Sequence, residues 1–500
     1  MSKSLISVFT RKKMPSEGKG GKLRACLSAW DLTLLGIGAI IGTGIFVLTG
    51  VAAATQAGPA VVLSFVVSGL ACAFAALAYA ELSSSVGGCG SAYGYSYAAF
   101  GELIAWIIGW DLILEYGVAV AAVANGWAGY FKNGLEAIGF GLPAMLTKGP
   151  LAQVAPEVLA DPVLSQLPEN ACDIRLFDLC YHSTGAIMNA PAVGIILVLM
   201  GLLIVGVKES ARINAYMVFI KLLTIAVFLG VGIFHLKPEL WSPFMPFGWF
   251  ETLPDGKTVG VLAAASVVFF AYVGFDAVST AVEEAKDPAR DVPVGILASL
   301  AFCTVIYIVV SAFLTGLVPY GDLNVSSPVA HALKQIGINW AAALVATGVI
   351  TGLTTVMLVL YYGLTRILLS MSRDGLLPPF FGAVDEKRQT PVHNTVICGI
   401  IMAAMAGVVP LGVLAELVNI GTLFAFVLVC GGVIVLRVTK PDMKRPFKTP
   451  GGLIIPILGV VSCLALIAFL PLVTHVRFII WLALGMVIYF AYSMRHSHQK

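Results

Sequence analysis

Apolar segments long enough to cross a lipid bilayer recur from one end of the chain to the other. A transmembrane helix needs about 20 predominantly apolar residues, and about twelve such segments can be counted among the 500 residues. The chain is 59% hydrophobic and only 11% charged, whereas soluble domains carry about 25% charged residues. The sequence therefore predicts one all-α integral membrane protein rather than several soluble domains.

The predicted spans are bounded by charged residues or by Pro and Gly. They cover residues 31–54, 59–84, 95–131, 191–207, 213–235, 259–283, 294–318, 340–370, 393–409, 413–436, 453–472 and 476–493. The positive charges of the N-terminal tail, residues 1–25, and of the loop between spans ten and eleven indicate that both lie in the cytoplasm. We therefore expect an inner-membrane or plasma-membrane protein with both termini cytoplasmic.

A longer polar segment, residues 133–190, is rich in Asp and Glu. It is predicted to be an extracytoplasmic loop with a short helix of its own. Cys172 and Cys180 lie in it, and an oxidising compartment permits a disulfide between them. The bridged and the free forms remain equally open. Because the chain has no CxxC motif and no Cys/His metal spacing, we expect no metal site and no cofactor.

The first span carries four glycines within GIGAIIGTGIF, residues 36–46. Glycine costs a helix about 1 kcal/mol relative to alanine, so this density predicts local unwinding. In a membrane, unwound backbone is tolerated where it lines a cavity or is covered by protein. Unwinding near Gly42, Thr43 and Gly44 would free N–H groups at the start of an outer half-helix, where the helix dipole favours a carboxylate.

The carbonyl groups of Ile40 and Ile41, at the end of the inner half-helix, would suit an ammonium group. A second interruption, FFAYVGFDA at residues 269–277, lies in span six. Three carbonyl groups there would face those of span one: those of Phe270, Ala271 and Val273. The alternative for span one alone is that its glycines only allow close helix packing.

Paired interruptions five spans apart indicate a five-plus-five inverted repeat with its binding site at the midplane of the membrane. The first repeat would cover residues 26–235 and the second residues 236–438. Residues 439–500 would form two additional helices and a short cytoplasmic tail. This pairing favours a two-part site for a zwitterion over simple helix packing.

Three ionisable residues lie inside apolar spans, where a charge is costly and is by default a functional candidate. Lys221 either gains and loses a proton during a cycle, which we prefer, or is a fixed cation that braces helices. Glu115, four residues after Asp111, is expected to contact a substrate cation, Lys221 or a neighbouring helix. Asp276 either takes part in ion coupling or caps the helix that restarts after Gly274.

Four separated motifs, GIGAIIGTGIF, FFAYVGFDAVSTAVEEAKDPARDVP, SRDGLLP and NIGTLFAF, resemble the amino acid, polyamine and organocation superfamily. More narrowly, the chain is similar to the cationic amino acid transporter family and its bacterial twelve-helix members, from about Leu23 to span twelve. The resemblance implies alternating access and an α-amino acid held in the gaps of spans one and six.

The resemblance also implies roles for individual residues. Thr43 and Gly44, with neighbouring amides, would bind the carboxylate. The carbonyls of Ile40, Phe270 and Val273 would bind the amine. Lys221 matches a span-five lysine that fills a sodium position in such proteins, and Glu115 matches the span-three glutamate of the family.

These observations predict a secondary active transporter of neutral amino acids such as alanine, in symport with protons. Leu360, on span eight where a larger or polar residue could set pocket depth, is apolar, which disfavours the alternative of a cationic amino acid transporter or exchanger. A sensor, a channel and a membrane-embedded enzyme are remote alternatives. The expected partners are an amino acid, a proton and the lipid bilayer, with room for a small membrane accessory subunit. A net charge of +3 gives no case for nucleic acid.

Overall fold

The computed structural model describes residues 27–86, 91–137, 139–153, 174–176, 179–205, 211–253, 258–385 and 390–497. The N-terminal tail, residues 1–25, and Cys172 lie outside these ranges. The predictions made for them, including the disulfide with Cys180, therefore stay predictions.

Ten of the spans are single helices over the described residues, and two are interrupted. Span one combines Ala29–Ile40 with an outer half over 44–57, and span six combines Val261–Val268 with Ala277–Thr280. The uninterrupted spans are, in order, span two Val61–Val86, three Glu102–Ala137, four Ala190–Val205, five Ala211–Gly232, seven Pro288–Leu317, eight Asn339–Arg373, nine Val392–Val408, ten Leu411–Thr439, eleven Ile454–Ala468 and twelve Leu472–Ile488. The predicted all-α membrane fold is confirmed.

Span one begins at a capping box, in which two side chains satisfy the first unpaired N–H groups of the helix. Asp31 accepts a hydrogen bond from the N–H of Ser28 at 2.9 Å, and the Ser28 hydroxyl accepts one from the N–H of Asp31 at 3.4 Å. The inner half-helix therefore starts at a defined residue.

The third predicted span, residues 95–131, is divided in the structure. A short helix, Ala92–Ala99, precedes span three, and Gly101 between them has a φ of 102°. Glycine reaches this left-handed region without a steric cost, so it ends the first helix and lets the chain turn into the second. The apolar run alone does not show this break.

The loop predicted over residues 133–190 begins later, because span three continues to Ala137. Its described part contains one 3₁₀ turn, Ala144–Leu146, where a short helix is predicted. It also contains three antiparallel strands in the order β1–β3–β2: β1 Leu151–Gln153, β2 Ile174–Leu176 and β3 Leu179–Ser183.

Short elements lie between some of the other spans. A hairpin of β4 Glu251–Thr252 and β5 Thr258–Val259 leads into span six. A helix over Pro328–Gln335 precedes span eight, and span twelve continues without a break through a π-helical turn to Met494–His496.

Packing between the spans follows a five-plus-five repeat. Spans two, three and four pack on spans seven, eight and nine, so each lies against the span five positions later. Span three also packs on span ten, and span eight packs correspondingly on span five. Because each half has an odd number of spans, the second half enters the membrane from the opposite side. The two halves are therefore inverted relative to each other, as predicted.

The interrupted and ionisable residues lie at the centre of this bundle. In the most apolar 18-residue windows of spans three and six, 89% of the residues are buried, against 28% for span twelve. Glu115, Lys221 and Asp276 are all buried. The interrupted helices and these three ionisable residues are therefore enclosed by the other spans.

Candidate functional site

The interruption of span one exposes the start of its outer half-helix. The inner half ends at Ile40, and Ile41 is extended, with φ −72° and ψ 99°. Within the described residues, the N–H groups of Gly42, Thr43 and Gly44 pair with no backbone acceptor. The buried hydroxyl of Thr43 also has no hydrogen-bond partner. These donors, at the positive end of a helix dipole, form a site for an anion.

The interruption of span six is longer. The outer helix ends at Val268 and continues as a 3₁₀ turn over Phe269–Tyr272. Gly274 then adopts a φ of 114°, which an L-residue with a side chain rarely adopts, before the inner half starts at Ala277. The carbonyl end of the outer half and the N–H end of the inner half therefore meet in one place.

The two interruptions lie against each other because glycine allows it. A Cβ built on Gly44 would lie 2.5 Å from the Cβ and 2.6 Å from the backbone nitrogen of Ala271. A Cβ on Gly274 would lie 3.0 Å from the carbonyl oxygen of Ala39. The structure thus brings the predicted residues of spans one and six together.

Tyr307 of span seven joins the two broken helices, and sequence reasoning missed it. Its hydroxyl lies 2.8 Å from the carbonyl oxygen of Ile40 and 2.9 Å from that of Ala271. One hydroxyl proton serves both acceptors, so two of the carbonyls predicted to bind an ammonium group converge on a single donor. The only signal in the sequence is a lone tyrosine within the apolar run CTVIYIVV.

The other two predicted carbonyls of span six are placed differently. The carbonyl of Phe270 accepts the N–H of Val273 at 3.3 Å, which closes the 3₁₀ turn. Val273 itself is extended, with φ −57° and ψ 131°, and lies at the open end of the turn. Ala271, rather than Phe270, therefore directs its carbonyl at the junction with span one.

An aliphatic wall from span eight faces the interruption. A Cβ on Gly42 would lie 3.6 Å from a methyl group of Val356. Leu360 is buried one helical turn further along the same face, and Leu364 follows it and packs at Gly117 of span three. The side chain of a ligand bound at span one would therefore meet apolar groups.

Lys221 holds the inner half of span one. Its Nζ donates a hydrogen bond of 2.5 Å to the carbonyl oxygen of Gly38, and its methylene groups pack at Gly352 of span eight. Only 1% of the residue is exposed. The ammonium group thus connects spans one and five directly below the interruption.

The acidic residues form a separate group on spans three and six. The electrostatic neighbours of Glu115 are Asp276 and Asp111, and the hydroxyl of Thr422 on span ten faces it. An ion pair between Glu115 and Lys221, one of the predicted contacts, is not formed in the described part of the chain.

Asp276 does not cap the inner half of span six. It occupies the N-cap position of Ala277–Thr280, yet its side chain makes no capping hydrogen bond. Its carboxylate instead accepts a hydrogen bond of 3.1 Å from the hydroxyl of Tyr116 on span three. The hydrogen bond that the capping interpretation requires is thus not formed, and the carboxylate is held by span three instead.

Comparison with known proteins gives one consistent result. The sequence profile described as "Amino acid permease" matches residues 27–492. A methylthioribose transporter of Bacillus subtilis (strain 168) is 46% identical and a branched-chain amino acid permease of the same organism is 47% identical, with 98% or more of each chain covered. Cationic amino acid transporter 4 of Homo sapiens is 36% identical over 86% of this chain and 62% of its own length. All three relatives are transporters.

Proposed function

This chain belongs to the amino acid permease family, and from that premise we propose that it imports small to medium neutral amino acids in symport with protons, by alternating access. It is a multi-pass membrane protein with transporter relatives. The observation that carries the proposal is the junction of the two interruptions. Unpaired N–H groups at Gly42 to Gly44 lie beside the converging carbonyls of Ile40 and Ala271.

A zwitterion fits this junction. Its carboxylate would accept hydrogen bonds from the free N–H groups and from the Thr43 hydroxyl. Its ammonium group would take over the two carbonyls that Tyr307 now bridges. Backbone dipoles then satisfy both charges of the substrate. Without such partners, burying the charges would cost several kcal/mol.

The side-chain preference follows from span eight. Val356 and Leu360 offer no hydrogen bond and no charge, so an aliphatic side chain is favoured and a polar one is left unpaired. The branched-chain permease among the relatives supports the same class. Alanine and leucine are therefore the first substrates to test.

Proton coupling is assigned to Lys221. Protonated, its ammonium group bridges to the Gly38 carbonyl; deprotonated, it can no longer place a positive charge there. Because a hydrogen bond from a neutral amine is weaker than one from an ammonium group, deprotonation would let the inner half of span one move relative to span five. Asp276 is kept as a second candidate for ion coupling, through its contact with Tyr116.

A cationic amino acid substrate is the second candidate. In this alternative the buried carboxylate of Glu115 would bind the distal charge of the substrate, and cationic amino acid transporters are among the relatives. The aliphatic side chains on the side of the junction next to Gly42 argue against a cationic substrate.

Both termini are proposed to be cytoplasmic, and a small membrane accessory subunit remains a proposed partner.

Uptake into proteoliposomes under imposed pH and sodium gradients tests this proposal. We expect an inward proton gradient, and not a sodium gradient, to drive accumulation of leucine and alanine. We expect unlabelled leucine to inhibit the uptake of labelled leucine most strongly, followed by alanine, arginine and methylthioribose in that order. Preferential inhibition by arginine, or by methylthioribose, which has neither a carboxylate nor an amine, would contradict the neutral amino acid assignment.

Lys221→Met and Glu115→Gln at matched expression separate coupling from binding. Lys221→Met is expected to abolish proton-driven accumulation while exchange of leucine across the membrane continues. Lys132→Met, in which a half-buried lysine with an i,i+4 contact to Glu136 is changed, is the control. Undiminished proton-driven uptake in Lys221→Met would overturn the coupling assignment, and undiminished uptake in Glu115→Gln as well would remove both buried residues from the transport cycle.

A further inference from the structure

Asn419 of span ten makes a contact with span six that resembles the contact of Lys221 with span one. Its side-chain amide is fully buried, and Nδ2 donates hydrogen bonds to the carbonyl oxygens of Ser266 at 2.7 Å and Val267 at 3.2 Å. Both acceptors belong to the last turn of the outer half of span six, directly before its 3₁₀ segment. A flip that exchanged Oδ1 and Nδ2 of Asn419 would place the amide oxygen next to two carbonyl oxygens, which repel it. The two hydrogen bonds therefore determine the orientation of the amide.

The positions of the two donors correspond under the repeat. Span five and span ten are the last spans of their halves, and each donor lies between two and three turns from the first residue of its span. Lys221 bonds to span one just before its interruption, and Asn419 bonds to span six just before its interruption. Each half therefore uses its fifth span to hold the carbonyl end of its broken first span.

The two donors differ in one chemical respect. The ammonium group of a lysine can lose a proton, whereas the carboxamide of an asparagine neither gains nor loses one at physiological pH. We propose that Asn419 is a positioning residue that holds the carbonyl end of span six in every protonation state, so that proton-dependent release is confined to span one.

This inference rests on the proposed function, since it assumes that the carbonyls of span six bind the amine of the substrate. It adds a residue and an asymmetry that the function alone does not require. If span six is fixed and span one is released, the amine contact at Ala271 persists while the Ile40 side of the junction opens.

The titratable groups on span ten and on the elements packed against it include Glu416 of span ten itself, Asp111 and Glu115 of span three, Asp276 and Tyr272 of span six, Tyr79 of span two and Arg477 of span twelve. Because all of these groups are present in the unchanged protein and in every variant below, their own titration is common to each. Only a difference between variants therefore reports on position 419.

Asn419→Asp tests the proposal by making the second donor titratable while keeping its shape. When protonated, the carboxyl group can donate one hydrogen bond to a carbonyl oxygen; when ionised, it repels both. We expect the apparent KM for leucine counterflow, measured at equal pH on both sides, to rise about tenfold between about pH 5.5 and about pH 8. Asn419→Leu should show the raised KM at both pH values, with turnover changed less.

Asn394→Asp is the matched control. Asn394 is also fully buried, its Nδ2 donates to a carbonyl oxygen, that of Phe381 at 2.8 Å, and it lies on span nine away from both interruptions. We expect the pH dependence of its KM to equal that of the unchanged protein. Asn419→Ser, which keeps a single hydroxyl donor, should give a KM between those of the unchanged protein and Asn419→Leu.

An equal pH dependence in Asn419→Asp and Asn394→Asp would overturn the proposal. If Asn419→Asp does not fold, an unchanged KM in Asn419→Leu and Asn419→Ser would overturn it as well. Failure of leucine counterflow in the unchanged protein would instead contradict the proposed function, so the two failures are distinguishable.

Discussion

Thr43 shows how a single buried side chain can indicate a ligand. A buried hydroxyl normally has a partner, because an unsatisfied one costs about 1–3 kcal/mol. Among the residues that the structure describes, the hydroxyl of Thr43 has none, and it lies beside three N–H groups that also lack a backbone acceptor there. In the proposed mechanism the substrate carboxylate satisfies all of them at once.

Thr43→Val removes this hydroxyl while keeping the shape of the side chain. Because a hydrogen bond to a charged group is worth about 1.5–3 kcal/mol, we expect the apparent KM for leucine to rise at least tenfold. Thr315→Val is the control, since the Thr315 hydroxyl is equally buried but bonds to Ser311 within span seven. Equal KM values in the two variants would contradict the role of Thr43.

Tyr307→Phe tests whether the tyrosine hydroxyl, in the substrate-free protein, bonds to the same two carbonyls that bind the substrate ammonium group. Without it, the carbonyls of Ile40 and Ala271 lose their shared donor, which lowers the stability of the substrate-free protein. A bound amino acid would restore a donor, so we expect the increase in Tm caused by leucine to be larger than in the unchanged protein.

Tyr130→Phe is the comparison for this experiment. The Tyr130 hydroxyl bonds to a different carbonyl, that of Phe46 at 2.7 Å. It should lower Tm without enlarging the leucine effect. A leucine effect in Tyr307→Phe no larger than that in Tyr130→Phe would show that the hydroxyl has only a structural role.

At the scale of the elements, glycine determines where spans one and six can meet. The break in span one leaves Gly44 against the backbone of Ala271, and no larger residue fits there without moving one of the two helices. The same glycine that weakens the helix therefore also allows the contact.

Gly44→Ala places a methyl group into this contact. Because the obstacle is backbone and not a flexible side chain, we expect transport to fall at least tenfold even where the protein is produced and folded. Gly194→Ala on span four, where nothing lies within 4 Å of the added methyl group, should transport normally. Normal leucine uptake by Gly44→Ala would contradict the close approach of the two interruptions.

The sequence predicts these elements unevenly. The interruptions of spans one and six were predictable because four glycines in one short stretch, and Gly274 beside Asp276, act locally on helix stability. The break at Gly101 was missed because a single glycine in an apolar run is also tolerated inside a helix. Positions that depend on tertiary contact were not predictable: Tyr307 reaches two carbonyls only after spans one, six and seven have packed.

The acidic residues illustrate the same limit. Spacing places Asp111 and Glu115 on one helical face, and the structure agrees that they are neighbours. Spacing within one helix does not reveal which other helix faces it. Asp276 and Thr422, and not Lys221, prove to be the neighbours of Glu115.

For the whole molecule, the basic loop between spans ten and eleven also has a structural role. Arg437 pairs with the buried carboxylate of Glu81 on span two, and the N–H of Thr449 donates to the same carboxylate at 2.8 Å. Arg445 donates to four backbone carbonyls, including those of Leu436 and Lys440 at 2.9 Å. Charges that support the proposed cytoplasmic orientation thus also fasten span two to the end of span ten and to the loop that follows it.

The inverted repeat links this framework to transport. Spans two, three and four each pack on their counterparts in the other half, so the halves can exchange roles about the junction of spans one and six. Alternating access then requires only that the contacts on one side of the junction open while those on the other side hold. The central claim is that both charges of the amino acid are bound at this junction.

Inhibition of leucine counterflow by analogues that lack one charge tests that claim most directly. Leucine methyl ester has no carboxylate, and 4-methyl-2-oxopentanoate has no amine, while both keep the aliphatic side chain. The account predicts that each inhibits at least tenfold more weakly than leucine itself. Inhibition by either analogue at the concentration at which leucine inhibits would contradict it.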